Sequence, residues 1–148
     1  MKALLASNWD PNLNRQNTLA ASQADSAKNS TDAFAWFNVG SNLVYFDRYE
    51  EAALAYDQAR EIGVPLRMFR YQFGPFLAYF HSGRNDDLLV LTDYARVTEM
   101  SEETWLWYGY GLYRKGDNAG ALKAWQKADS INPQFFEDQA KNAINLIQ

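Results

Sequence analysis

Residues 33–45 read Ala33-Phe34-Ala35-Trp36-Phe37-Asn38-Val39-Gly40-Ser41-Asn42-Leu43-Val44-Tyr45. Trp36, Val39, Gly40 and Leu43 fall at i, i+3, i+4 and i+7, which is one stripe of a helix. Downstream, Ala52, Tyr56 and Ala59 fall at i, i+4 and i+7, a stripe of a second helix. Adding 69 to each number gives Trp105, Tyr108, Gly109, Leu112, Ala121, Trp125 and Ala128. A partial third copy, Arg70, Phe73, Gly74 and Leu77, lies at an offset of 34 from the first. Self-similarity at a fixed offset is the mark of a repeat architecture. The small residues Gly40 and Ala52 let two antiparallel helices approach closely, and Trp36 and Tyr56 fill the space around them. Turns are predicted at Phe46-Asp47-Arg48 and Lys115-Gly116-Asp117, where Gly116 suits a helix end that needs positive φ. Pro133 is placed to close the last copy.

The order Trp, apolar, Gly, Leu, then Ala, aromatic, Ala, then Pro resembles the tetratricopeptide repeat (TPR), whose period is about 34 residues. The resemblance implies an all-α, TPR-type right-handed solenoid with three helix-turn-helix repeats at 33–66, 67–100 and 102–135. A leading helix at 13–30 and a C-terminal capping helix at 136–148 complete a single domain, with residues 1–12 irregular apart from a helix start that Pro11 permits. In the leading segment, Ala20, Ala24 and Ala27 repeat the second-helix spacing, as in a half-repeat docked on the first full copy. Phe135, Phe136, Ala140, Ala143, Ile144 and Ile147 give the last segment its apolar face, and end caps with a polar outer side are required in such stacks.

The middle copy departs from the pattern. Its turn falls at Gly83-Arg84-Asn85, about two residues late, and its second helix runs from about Asp86 to Arg96. Leu88, Thr92 and Ala95 occupy the stripe, with Thr92 in place of the aromatic. Pro75 sits inside the expected first helix. A bend at Phe73–Pro75 is predicted, because an internal proline removes a hydrogen bond while the apolar pattern continues on both sides.

A closer resemblance rests on Asp32-Ala33-Phe34-Ala35-Trp36-Phe37-Asn38, on Arg48-Tyr49-Glu50-Glu51-Ala52, and on Met68 with Tyr71-Gln72-Phe73-Gly74-Pro75. Together these are similar to the TPR region that follows a papain-like, bacteriocin-processing-type cysteine peptidase domain in some bacterial proteins. This chain has no cysteine, so the nucleophile of such a peptidase is absent from it. What the resemblance implies is an accessory module, with a cysteine peptidase domain among its candidate partners.

Composition narrows the chemistry further. The lack of cysteine excludes disulfides and thiolate metal sites within the chain, and the single histidine, His81, excludes multi-histidine metal centres. A net charge of −4 argues against a nucleic-acid footprint. No apolar run reaches the roughly 18 residues of a membrane-spanning helix. The apolar run near the start, Ala3-Leu4-Leu5-Ala6, is shorter than the roughly 7–15 residues of a secretory signal. The chain as written therefore reads as cytoplasmic, and a domain cut from an exported protein would read the same. Glu50-Glu51 and Asp86-Asp87 sit where second helices start, so they read as offsets to the helix dipole, not as catalytic pairs. Gly109-Tyr110-Gly111 lies within a helical pattern and is not a phosphate loop. No cofactor fingerprint, metal set or catalytic residue emerges, and no enzyme is expected.

The remaining signal is aromatic: five Trp, nine Tyr and nine Phe. In TPR proteins the far side of the first helices lines a concave groove. Carried over by position, it holds Phe34, Phe37 and Tyr45, then Tyr71, Pro75 and Tyr79, then Leu106, Tyr110, Tyr113 and Arg114. Such a groove fits a protein or peptide partner held by aromatic anchors. Self-association through the same surface is the other reading. Phe37 and Ser41 stand where a chaperone-type carboxylate clamp places Lys and Asn, which excludes that clamp.

Overall fold

A computed structural model describes residues 11–98, 101–133 and 138–147. Every regular element among them is helical, with eight α-helices, one 3-10 turn and no strand. The chain folds as two units, one ending at Val64 and the other beginning at Pro65.

The first unit holds α1 (Pro11–Lys28), α2 (Ala33–Tyr45) and α3 (Tyr49–Ile62). Pro11 opens α1, where its missing N–H has no helical acceptor to lose. Residues 11 and 12, expected to be irregular, are thus helical. The residues that α1 buries are Leu19 and Ser26. Ala20, Ala24 and Ala27, expected to form the docking stripe, are exposed. Leu19 offers more apolar area than any of the alanines, and the rotation that buries it turns them outward. Contact between α1 and α2 is partly polar: the Asn42 amide donates to Ser22 Oγ at 3.2 Å, and the Arg15 guanidinium lies 3.3 Å over the Tyr45 ring.

Asp32 caps α2 by accepting from the Phe34 N–H at 2.9 Å. The α2–α3 turn is made by Asp47 at φ 55°, and α3 ends on Gly63 at φ 114°. Between the two helices the expected close approach is present. A Cβ added at Gly40 would stand 2.7 Å from Cε1 of Tyr56. Tyr56 is fully buried, edge-on to Phe37 at 5.0 Å, and its hydroxyl shares a 3.2 Å hydrogen bond with Ser41.

The second unit starts with a 3-10 turn (Leu66–Arg70), followed by α4 (Gly74–His81), α5 (Asn85–Thr98), α6 (Glu102–Arg114), α7 (Asn118–Ile131) and α8 (Gln139–Ile144). The predicted bent helix through Phe73–Pro75 is corrected here: the helix is broken. Residues before Phe73 form the 3-10 turn, and α4 begins afresh with Pro75 in its first turn. A proline placed mid-helix clashes with the carbonyl four residues back. Placed at the start, it has no such carbonyl to meet.

Gly83, at φ 75°, makes the α4–α5 turn. Leu88, Leu91 and Thr92 of α5 are buried, and Thr92 satisfies its hydroxyl on the Leu88 carbonyl at 2.7 Å. The side chain of Ala95 lies outside the described residues. In the α6–α7 pair, a Cβ at Gly109 would overlap the edge of the Trp125 indole at Nε1 and Cδ1. Trp125 is fully buried and donates its Nε1–H to the Leu106 carbonyl at 3.1 Å. Phe135 and Phe136 lie outside the described residues. The described part of the expected capping segment is α8, which buries Ala140 and Ala143 in the same core cluster as Trp125.

Candidate functional site

Of the ten partner-facing candidates, three belong to the first unit. Phe34 and Tyr45 are exposed, at 44% and 46%. Tyr45 already carries the Arg15 guanidinium on its face. Phe37 is buried against Tyr56, so it is a core residue and not a groove residue. In the second unit Tyr79 and Leu106 are likewise buried and available to no partner, and Pro75 with them. Apolar side chains at those positions are drawn into the helix interfaces because burial there removes more area from water than a one-sided groove can. Tyr71 is 78% exposed and stands apart from the rings that gather on α6.

The other three, Tyr110, Tyr113 and Arg114, come together. Trp107, Tyr110, Tyr113 and Arg114 are spaced i, i+3, i+6 and i+7, so α6 presents them along one side. Phe80, from the end of α4, completes the set. The ring centroids of Phe80, Trp107 and Tyr110 form a near-equilateral triangle: 5.5 Å for Phe80–Trp107, and 5.6 Å each for Phe80–Tyr110 and Trp107–Tyr110. The Arg114 guanidinium lies 4.4 Å over the Phe80 ring, a cation–π contact. Beneath them Trp125 anchors the array, 5.3 Å from Tyr110 and 5.7 Å from Tyr113. All three rings of the triangle are half-buried, and Arg114 is exposed. Burial pushes the Tyr110 phenol above its ordinary pKa. Among the described residues, neither the Trp107 indole N–H nor the Tyr110 hydroxyl makes a hydrogen bond, and Arg114 has no carboxylate partner.

Phe80 and Trp107 were missed in the sequence because they lie one step away from the groove positions of the resembling family. The i, i+3 spacing of Trp107 and Tyr110 is a signal for Trp107; Phe80 joins only through the packing of α4 against α6.

Two shallow recesses lie elsewhere. One, of about 460 Å³, sits between α2 and α3 on Trp36, Val39 and Leu43. The other, of about 370 Å³, sits between α5 and α6 on Leu89, Val90, Tyr108 and Leu112. Val39 and Leu43 are the repeat equivalents of Tyr108 and Leu112, so both recesses are floored by the same repeat positions.

The acidic pairs are structural. Glu50–Glu51 and Asp86–Asp87 lie in the first turns of α3 and α5. Arg48 bonds Glu51 and holds its carboxyl below the usual range. Arg84 and Lys115 pair with Asp87 and Asp86. His81 is exposed, edge-on to Phe80 at 5.2 Å. No group of three acidic or histidine side chains among the described residues could hold a metal ion, and no described helix is long and apolar enough to cross a membrane. No protein-family model matches the chain, and a search of curated proteins finds no match.

Proposed function

We propose that this chain is a TPR-type helical scaffold that binds a protein or peptide segment on the aromatic surface of α4 and α6 and performs no chemistry of its own. The repeat spacing of Trp36–Ala59 and Trp105–Ala128 supports the scaffold. The observation that carries the binding reading is the triangle of Phe80, Trp107 and Tyr110 with Arg114 beside it: half-exposed rings holding unengaged donors. Aromatic side chains and arginine are the residue types that dominate interface hot spots, because they combine a large apolar face with a polar edge. Donors half-sunk in an apolar surface gain more from a partner's acceptor than fully hydrated ones do.

The test is selection from a random-peptide library against the wild type, with Trp107→Glu and Leu13→Glu as comparisons. Leu13 is an exposed α1 residue of the other unit. Enriched peptides should bind the wild type and Leu13→Glu alike and lose at least tenfold (about 1.4 kcal/mol) on Trp107→Glu, with circular dichroism showing all three folded. No enrichment, or equal binding to a folded Trp107→Glu variant, overturns the reading.

A further inference from the structure

The donors of the aromatic surface identify the class of its occupant. The Trp107 indole and the Arg114 guanidinium can only donate hydrogen bonds, and the Tyr110 hydroxyl has a proton to give. None of the three has an acceptor among the described residues. The polar groups of Trp107, Tyr110 and Arg114 therefore mainly donate, and Glu103, one turn before Trp107 on α6, is the carboxylate of the same stripe.

A helical partner has its backbone carbonyls engaged internally, so it could meet these donors only through side chains. An extended strand brings as many N–H groups as carbonyls, and no sheet edge exists among the described residues to use them. A proline-rich segment differs. In the polyproline II form it makes no internal hydrogen bonds, so its carbonyls are free, and each proline lacks the N–H. It is rich in acceptors and poor in donors, the complement of this surface. Its flat pyrrolidine rings pack on aromatic faces, and its stiffness lowers the entropy lost on binding.

The triangle also excludes a cage for a ligand cation. Its rings touch at 5.5–5.6 Å and leave no room between them, and Arg114 already occupies the Phe80 ring. Because Arg114 is a cation without a carboxylate partner, the complementary charge on the ligand is negative. We infer that the α4–α6 surface takes a proline-rich extended segment bearing an acidic residue, its prolines on Phe80, Trp107 and Tyr110, its carbonyls on the Trp107 and Tyr110 donors, and its carboxylate on Arg114. This rests on the peptide-binding reading above.

The experiment is fluorescence anisotropy with three labelled peptides: an oligoproline bearing one glutamate, the same peptide with alanines for the prolines, and the oligoproline with lysine for the glutamate. The oligoproline with glutamate should bind most tightly. Trp107→Phe, which keeps an aromatic ring and removes the N–H, should weaken it about three- to tenfold. Arg114→Met should leave proline binding in place and abolish the preference for glutamate over lysine. Thermal melts establish that both variants are folded. Equal binding of the alanine peptide overturns the inference. So does failure of all three peptides while library-selected peptides still bind in a Trp107-dependent way, an outcome that leaves the binding function standing. If no peptide of either kind binds, both fall together.

Discussion

The α2–α3 and α6–α7 pairs solve one packing problem with different side chains. In each, a glycine on the first helix lets an aromatic ring of the second lie against its backbone: Gly40 against Tyr56, Gly109 against Trp125. Each ring's polar atom is satisfied on the first helix, Tyr56 through Ser41 and Trp125 through the Leu106 carbonyl. The pairs diverge at the very next position. Position 41 carries a serine, and its repeat equivalent, position 110, carries a tyrosine. Ser41 is small enough to be absorbed by Tyr56. Tyr110 cannot be absorbed, so it lies edge-on to Trp125 and reaches the half-exposed triangle with Phe80 and Trp107. A shared interior thus supports two different exteriors, and the candidate site arises where the repeat departs from itself.

The sharpest break is at the ring. Trp125→Ala should destabilise its unit by about 3–5 kcal/mol, because loss of a fully buried indole leaves a cavity and removes its hydrogen bond to the Leu106 carbonyl. Tyr56→Ala should cost less within the same range, since the phenol is smaller. Urea denaturation of the two variants measures the difference. Equal and small effects would show that the rings fill space without holding the pairs together.

The glycines come next. A methyl at Gly109 would overlap rigid, buried indole atoms, and one at Gly40 would meet the edge of Tyr56 at 2.7 Å. Gly109→Ala should cost about 1–3 kcal/mol, as overpacking typically does, and Gly40→Ala should fall at the lower end. If Gly109→Ala melts like the wild type, the indole does not lie tight against the α6 backbone.

The close approach at Gly40 was legible from the sequence because helical spacing set small residues where two helices meet, and Gly109 follows from it by the repeat offset. The helical class and both full hairpin turns were legible for the same reason. The middle segment was not. Phe73, Gly74 and Leu77 match the repeat stripe, yet Pro75 decided the outcome, and whether a proline kinks a helix or starts one depends on tertiary packing. The site was legible only in part. Carrying positions over from a family assigned Phe37, Tyr79 and Leu106 to a groove, whereas the stronger driving force buried them. It passed over Phe80 and Trp107, which gained a role only once α4 and α6 were brought together.

Capping offers a finer comparison. Asp32 accepts from the Phe34 N–H and Asp117 from the Gly120 N–H, both at 2.9 Å. Asp32→Ala and Asp117→Ala should each cost about 1 kcal/mol. Thermal melts of the two variants should shift by similar amounts. An effect confined to one would show that the two helix starts are not equally stressed.

The smallest effect is expected at the turns, where the two pairs make opposite choices. The α2–α3 turn places Asp47 at φ 55°, and the α6–α7 turn places Gly116 at φ 84°. Positive φ is strained for residues with a Cβ, but aspartate tolerates it better than most. Asp47 is also held by the Tyr49 hydroxyl, which donates to its carboxylate at 2.6 Å. Asp47→Gly therefore relieves strain and loses that hydrogen bond, so its net effect should be within about 0.5 kcal/mol of zero. Gly116→Asp gains strain with no hydroxyl placed to offset it, since Asn118 stands where the first turn has Tyr49 two residues on. It should cost up to about 1 kcal/mol. Should Gly116→Asp prove neutral while Asp47→Gly destabilises, backbone strain would not be what separates the two turns, and the Tyr49–Asp47 hydrogen bond would outweigh it.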